Sequence, residues 1–289
     1  MSRIAYVNGR YRPWRDATVH VEDRGYQFSD GVYEVCEVRG GRMVDERRHM
    51  ARLARSLDAL RMAMPMSPAA LGVVMRETIR RNRVGNGIVY LQISRGVARR
   101  DHAFPPSGTA PALVVTARSL DGVGSEAMAE KGIAVVTVPD NRWSRVDIKS
   151  IALLPNVLAK QAARESGAYE AWLIDDKGCI TEGASTNAWI VTPDNELVTR
   201  QTDNGILAGI TRGTLKKIAG DLQLKFVERP FSLAEAKKAR EAFITSATSF
   251  VTPVVKIDGD KVGDGKVGPT ARRLREEYVR FASEGEAVT

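Results

Sequence analysis

No lysine precedes Lys131 in this chain; the twenty basic side chains ahead of it, histidine aside, are all arginine. Chemistry that needs a side-chain amine can therefore draw only on the C-terminal half. Cysteine is almost absent too. Cys36 and Cys179 belong to no CxxC pair and to no Cys/His cluster with metal-ligand spacing, which excludes a dense disulfide framework and a structural zinc module. Both are expected to be buried, inert thiols, and no metal is expected. No stretch approaches the roughly 18 apolar residues of a membrane helix. The opening MSRIAYVNGR lacks the apolar region of a signal peptide, so a cytoplasmic location away from membranes is expected. What is present is ordinary for a folded protein: 289 residues, 43% hydrophobic and 27% charged, with length for two modest domains. The net charge of +8 is spread along the chain without a reader motif, and nucleic-acid binding is not expected.

The chain divides by pattern. IAYVNG, ATVHVED and VYEVCEVRGGRMV alternate apolar and polar residues between turns, predicting an antiparallel meander with a hairpin at Gly40 and Gly41. Met50, Leu53, Leu57 and Leu60 have helical spacing, and Ser67 with Pro68 opens a second helix to Val84. GIVYLQISRG and ALVVTARS read as strands. LDGVGSEAM loses periodicity, so residues 120–128 are expected to link a small domain, 1–119, to a larger one, 129–289. The larger domain should hold a helix over Leu154 to Ser166, several short strands, and helices near Thr211, Leu233 and Pro269. The fold class is α/β in the α+β sense: two domains with mixed and antiparallel sheets and flanking helices, because many connections are too short for parallel crossovers.

Gly122, Gly124 and Ala127 fit a GxGxxA dinucleotide fingerprint with Asp140 beyond it. Only Ser125 to Lys131 is then left for a crossover helix, and a crossover needs a dozen or more residues. A different set has a different chemistry: Lys149 in DIKSIALLPNVLAKQ, Glu182 in ITEGASTN, Gly209 and Thr211 opening a helix, and the hydroxyl-rich TSATS after a strand. An amine, an acid and two small-residue anion sites are what pyridoxal phosphate requires. Taken singly, each also reads as a solvated charge, a turn, a helix start or a strand end.

The motifs EDRGYQFSDGVYE, DIKSIALLPNVLAKQ, ITEGASTN, GILAGITR and SATSFVTPV, in this order, resemble the signatures of the fold-type IV pyridoxal-phosphate enzymes, over about Ile4 to Tyr278. That family holds D-amino-acid transaminases, branched-chain L-amino-acid transaminases and aminodeoxychorismate lyases. Arg100 and His102 in RGVARRDHAF match the Arg-x-His pair with which the D-amino-acid branch holds the substrate α-carboxylate.

The resemblance implies the following roles. Lys149 is the Schiff-base amine and the proton carrier, Glu182 partners the pyridine nitrogen, and Tyr33 stands near the amine and the substrate carboxylate. Arg52, Ile210, Thr211, Ala247 and Thr248 bind the phosphate, with Ala247 a departure from relatives that carry threonine. Leu207 packs on the ring, and Ser185 and Thr186 complete the hydrogen-bond network. The cofactor is pyridoxal 5'-phosphate. The implied reaction moves an amino group from a D-amino acid such as D-alanine or D-glutamate to a 2-oxo acid such as 2-oxoglutarate or pyruvate. A homodimer is implied in which Arg100 and His102 reach the neighbouring subunit's site. The alternatives are the other two activities of the family, or a non-catalytic binding protein on the same scaffold.

Overall fold

The structure, a computed structural model, describes residues 3–120 and 122–284. The chain separates into two compact units, Met1–Asp121 with Ile148–Ala152, and Gly122–Asp147 with Leu153–Thr289. The short segment that carries Lys149 thus clusters with the first unit rather than with the C-terminal part to which the sequence assigned it.

In the first unit, β1 (Ile4–Val7), β2 (Arg10–Pro13), β3 (Gly31–Arg39), β4 (Arg42–Met43), β5 (Gly87–Ser94) and β6 (Ala112–Ser119) form one sheet, ordered β2-β1-β6-β5-β3-β4. All of its pairs are antiparallel. Gly40 and Gly41, at φ of +52° and +77°, close the β3–β4 hairpin in the left-handed region that glycine occupies without strain. Two helices, α2 (Glu46–Ala59) and α3 (Pro68–Arg81), pack on this sheet. Leu53 and Leu57 of α2, and Leu71, Met75 and Ile79 of α3, form buried stripes at helical spacing. As expected, Ser67 caps α3, accepting from the Ala70 amide, with Pro68 in the first turn.

Two expectations need correction here. ATVHVED alternates like a strand but pairs with none as a ladder; Val19 and Val21 are exposed, so the alternation has no buried face to serve. The same region instead yields a helix the sequence reading passed over, α1 (Arg24–Phe28), five residues capped by Asp23, whose carboxylate accepts from the Gly25 amide.

The expected linker, 120–128, is helical from Gly122 on, with Asp121 lying outside the described residues. Helix α4 covers Gly122–Lys131, because Glu, Ala, Met and Lys outweigh the two early glycines in helix propensity. It does not complete a dinucleotide crossover, since the strand before it, β6, and the strand after it, β7 (Ile133–Pro139), belong to different sheets.

The second unit continues with α5 (Leu154–Glu165), β8 (Glu170–Ile174), β9 (Ile180–Gly183), β10 (Asn187–Val191), β11 (Glu196–Thr199) and α6 (Ile210–Asp221). Then follow β12 (Lys225–Glu228), α7 (Leu233–Lys237), β13 (Glu241–Ser246), β14 (Phe250–Ile257), β15 (Asp260–Lys261) and α8 (Pro269–Glu284). The sheet runs β12-β11-β10-β13-β14-β7-β8-β9, with β15 paired to β14. It is mixed: β11 with β12, β14 with β7, and β7 with β8 are parallel. Trp172, Trp189, Phe231 and Phe243 anchor its core, and Trp189 stacks on Phe243 at 5.5 Å between centroids. Cys36 is fully buried, and burial pushes its thiol well up; Cys179, against expectation, is only half-buried. Among the described residues no helix is long and apolar enough to cross a membrane.

Candidate active site

Lys149 is held by the backbone of its own segment. The Tyr33 amide donates to the Lys149 carbonyl at 3.0 Å, and the Ile151 amide donates to the Gly31 carbonyl at 3.0 Å. Ser150 bridges to Val32, so residues 149–151 pair with the start of β3. The Lys149 amide donates to Ser56 Oγ at 3.2 Å, and Ile148 is buried in the first core. The side chain is half-buried, with Nζ 4.2 Å from the centroid of the Tyr33 ring, whose π face attracts an ammonium. Tyr33 in turn lies 5.8 Å from Tyr90. The expected proximity of Tyr33 to the amine is therefore present.

Arg52 departs from the simplest expectation. Its Nε and Nη2 donate to the two oxygens of Glu34 at 2.7 and 2.8 Å, so the guanidinium fork grips a carboxylate of this unit. His49 Nδ1 lies 2.8 Å from Glu34 Oε2; an ionised carboxylate only accepts, so that nitrogen carries the proton. All three side chains are buried. Burial alone would push the Glu34 carboxyl up, but the Arg52 charge and the hydrogen bonds from Arg52 and His49 outweigh it and bring it down to about 2.

Arg100 and His102 lie in the segment joining β5 to β6 and are exposed. Both approach Phe28: the Arg100 guanidinium is 4.8 Å from the ring centroid and the His102 ring 5.3 Å.

In the second unit Glu182 lies one residue before the end of the buried strand β9, and its carboxylate accepts from both side chains and backbone. Arg142 Nη1 donates to Oε1, Asn187 Nδ2 donates to Oε2 at 2.8 Å, and the Leu207 amide reaches both oxygens at 3.2 Å. Leu207 was expected to act through its side chain; the structure shows its backbone holding the acid. Arg142 is itself gripped by Asp140, Nε to Oδ1 at 2.9 Å and Nη2 to Oδ2 at 2.7 Å, and Thr181 Oγ1 donates to Asp140 at 2.7 Å. Burial pushes the Asp140 carboxyl up, yet the Arg142 guanidinium and the Thr181 hydroxyl bring it below the usual range. The result is a row of alternating charges, Asp140, Arg142, Glu182, with Glu182 at the end.

Helix α6 starts at Ile210 after Gly209, which contributes no side-chain cap, and its first amides have no acceptor inside the helix. Thr211 is buried, its Oγ1 3.5 Å from Tyr278 Oη. Gly209 is required by close approach: a Cβ there would stand 2.1 Å from Asn187 Oδ1. In the turn between β13 and β14, Ser246 Oγ accepts from the Thr248 and Ser249 amides at 3.3 and 3.1 Å. Thr248 is exposed and Ala247 half-buried. Ser185 Oγ donates to the buried Glu170 at 2.9 Å, whereas Thr186 Oγ1 is buried without a hydrogen-bond partner. Lys160, on α5, lies 3.1 Å from that same Glu170 and pairs with it.

Sequence reasoning gave no site role to Arg142, Asn187, Glu34 and His49, and placed Asp140 only in the dinucleotide fingerprint. The signals were thin: an Asp-x-Arg spacing after β7, an asparagine closing ITEGASTN, and a glutamate alternating with Tyr33 on β3. The residues present fit pyridoxal phosphate by their donor set. In the first unit Lys149 offers a half-buried amine on the Tyr33 face; in the second, the Glu182 carboxylate accepts from Arg142, Asn187 and Leu207, and α6 starts without a side-chain cap beside the buried Thr211. The buried, unpartnered Thr186 hydroxyl awaits an acceptor or donor.

Residues 31–257 match the family described as Amino-transferase class IV. The D-alanine aminotransferase of Staphylococcus haemolyticus is 40% identical over 277 residues, covering 96% of each chain. That of Bacillus licheniformis is 38% identical over 268 residues, 93% of each. Among solved structures, the branched-chain amino acid aminotransferase of Escherichia coli superposes with a TM-score of 0.89 at 26% identity, covering 100% of this chain and 97% of that one. A Thermus branched-chain enzyme, solved with pyridoxamine 5'-phosphate, gives 0.87 at 26% identity over 97% and 94%.

Proposed function

Since the chain belongs to the class IV aminotransferases, a pyridoxal-phosphate-dependent family, we propose that it takes the amino group of a D-amino acid such as D-alanine or D-glutamate and passes it to a 2-oxo acid such as 2-oxoglutarate or pyruvate. The observation that carries the substrate choice is the 40% identity to a D-alanine aminotransferase over 96% of both chains. Arg100 and His102, exposed on one loop and directed to one aromatic ring, support it as a pair suited to a carboxylate.

Pyridoxal phosphate, when bound, supplies the electron sink for the charge that develops at the substrate Cα. The protein's residues do the rest. Lys149 Nζ would hold the cofactor and, as a free amine, would take the proton from the substrate Cα, with Tyr33 steering the amine. Glu182, paired with Arg142 and positioned by Asn187 and Leu207, would hold the proton on the pyridine nitrogen. The phosphate would be held by Ile210 and Thr211 at the start of α6, by Ala247 and Thr248, and by Arg52, which Glu34 fixes in place. Ser185 and Thr186 complete the polar surround. Kinetics are ping-pong. The protein acts as a cytoplasmic homodimer, with Arg100 and His102 serving the neighbouring subunit.

The test is a half-reaction panel, in which the cofactor-loaded enzyme is mixed with single amino acids and its visible absorbance followed. D-alanine and D-glutamate should bleach it rapidly and L-leucine slowly. Faster bleaching by L-leucine would assign the branched-chain activity of the structural neighbours instead.

A further inference from the structure

Arg100 and His102 are exposed, so their own burial does not fix them, yet a substrate-binding pair needs a defined geometry. The loop that carries them is fixed from beneath by groups that take no part in the chemistry. Arg24, the first residue of α1, is buried at 3% exposure. Its amide donates to the Gly96 carbonyl at 2.9 Å, and its Nη1 donates to the carbonyl of Asp101, the residue between Arg100 and His102, at 2.6 Å. Its Nε donates to Asp30 Oδ2 at 2.8 Å, and the same oxygen accepts from Arg95 Nε at 2.8 Å, where β5 gives way to the loop. Arg95 is anchored in turn to the Leu60 carbonyl at 2.8 Å and lies 3.8 Å from the Phe104 ring, further along the loop. The Arg24 guanidinium also lies 4.8 Å from the centroid of Phe28, the ring that Arg100 and His102 approach.

We propose that Arg24, set by Asp30 and acting through the Asp101 carbonyl and the Phe28 ring, is a positioning residue that holds Arg100 and His102 in the geometry that grips the substrate α-carboxylate. This rests on the reading of Arg100 and His102 as that pair. Arg24 touches no substrate; it supplies the rigid support that the exposed loop lacks, as a binding residue needs from its surroundings. Asp30 lets a buried guanidinium serve this purpose, because a buried charge without a partner is costly.

The experiment is a double-mutant cycle on the cofactor-loaded enzyme with Arg24→Gln, Arg100→Ala and the pair, read as KM and kcat for D-alanine and as the affinity of a non-reacting small carboxylate competitor. Arg24→Gln should raise KM about tenfold and weaken the competitor about equally, with kcat within about twofold, the size of one charge-assisted hydrogen bond. In the Arg100→Ala background it should add little further loss, because the two act through one contact. Independent, additive losses would overturn the inference. An unchanged KM in Arg24→Gln, alongside a raised KM in Arg100→Ala, would overturn the inference alone. An unchanged KM in Arg100→Ala would remove the underlying reading, and the inference with it. Should Arg24→Gln fail to fold, Phe28→Leu enters the same cycle, with the same outcomes deciding.

Discussion

Replacing Glu34 by glutamine removes one negative charge from a site that water does not reach and leaves Arg52, itself buried, facing a neutral amide. The cost follows from two routes. A carboxyl held at about 2 instead of the ordinary 4.5 contributes about 3 kcal/mol to folding, at about 1.4 kcal/mol per pH unit. Breaking a buried ion pair by removing one partner costs about 3–5 kcal/mol, because the remaining charge loses the attraction that offset its desolvation. The two agree, and both are a large share of the roughly 5–15 kcal/mol that holds a typical protein folded. The sign of the pH dependence is set by the direction of the shift. The folded-state value lies below the unfolded one, so the stabilisation is complete above 4.5 and is lost as pH falls through that value toward about 2. The assay is urea unfolding of parent and Glu34→Gln at neutral pH and along an acid series. The variant should lose about 3 kcal/mol at neutrality and show a shallower decline in acid. A loss below about 1 kcal/mol, or an acid decline as steep as the parent's, would refute the assignment of Glu34 as a buried ionised anchor.

Three further outcomes are expected. Lys149→Ala should abolish transamination and leave no cofactor attached after borohydride reduction and denaturation; undiminished turnover would end the mechanism. Glu182→Gln should still bind cofactor but turn over slowly, since an amide cannot hold the ring nitrogen protonated, and parental kcat in a steady-state assay would remove that role. Gly209→Ala would drive a Cβ to 2.1 Å from Asn187 Oδ1 and displace the side chain that fixes Glu182, so stability should drop by about 1–3 kcal/mol and cofactor affinity should weaken. Unchanged cofactor titration and melting would show that Asn187 moves freely.

Much of the fold is legible in the sequence. Ser67 and Pro68 marked α3, and Gly40 with Gly41 marked the hairpin, because capping and turn chemistry are local. Lys149 and Glu182 stand in motifs, DIKSIALLPNVLAKQ and ITEGASTN, which is what singles them out in the sequence. What escaped was non-local or too short to be periodic. Helix α1 has five residues and one cap, and ATVHVED alternates without a partner strand. Arg142 meets Glu182 from forty positions away, and Arg52 meets Glu34 from eighteen. A buried charge needs a partner, but sequence does not say which of many arginines provides it.

The pairing of residues 149–151 with the start of β3 also constrains how the enzyme can be made or divided. A fragment ending at Asp121 would contain the whole six-stranded sheet but not the amine that lies against Tyr33. During synthesis, β3 must keep its partnering groups open until Ile148–Ala152 emerges, so the first unit is completed only after β7 of the second has been made. A split-protein reporter or a domain exchange cut between the two units at residue 121 would therefore separate Lys149 from the ring beneath it, whereas one cut after Ala152 would keep them together.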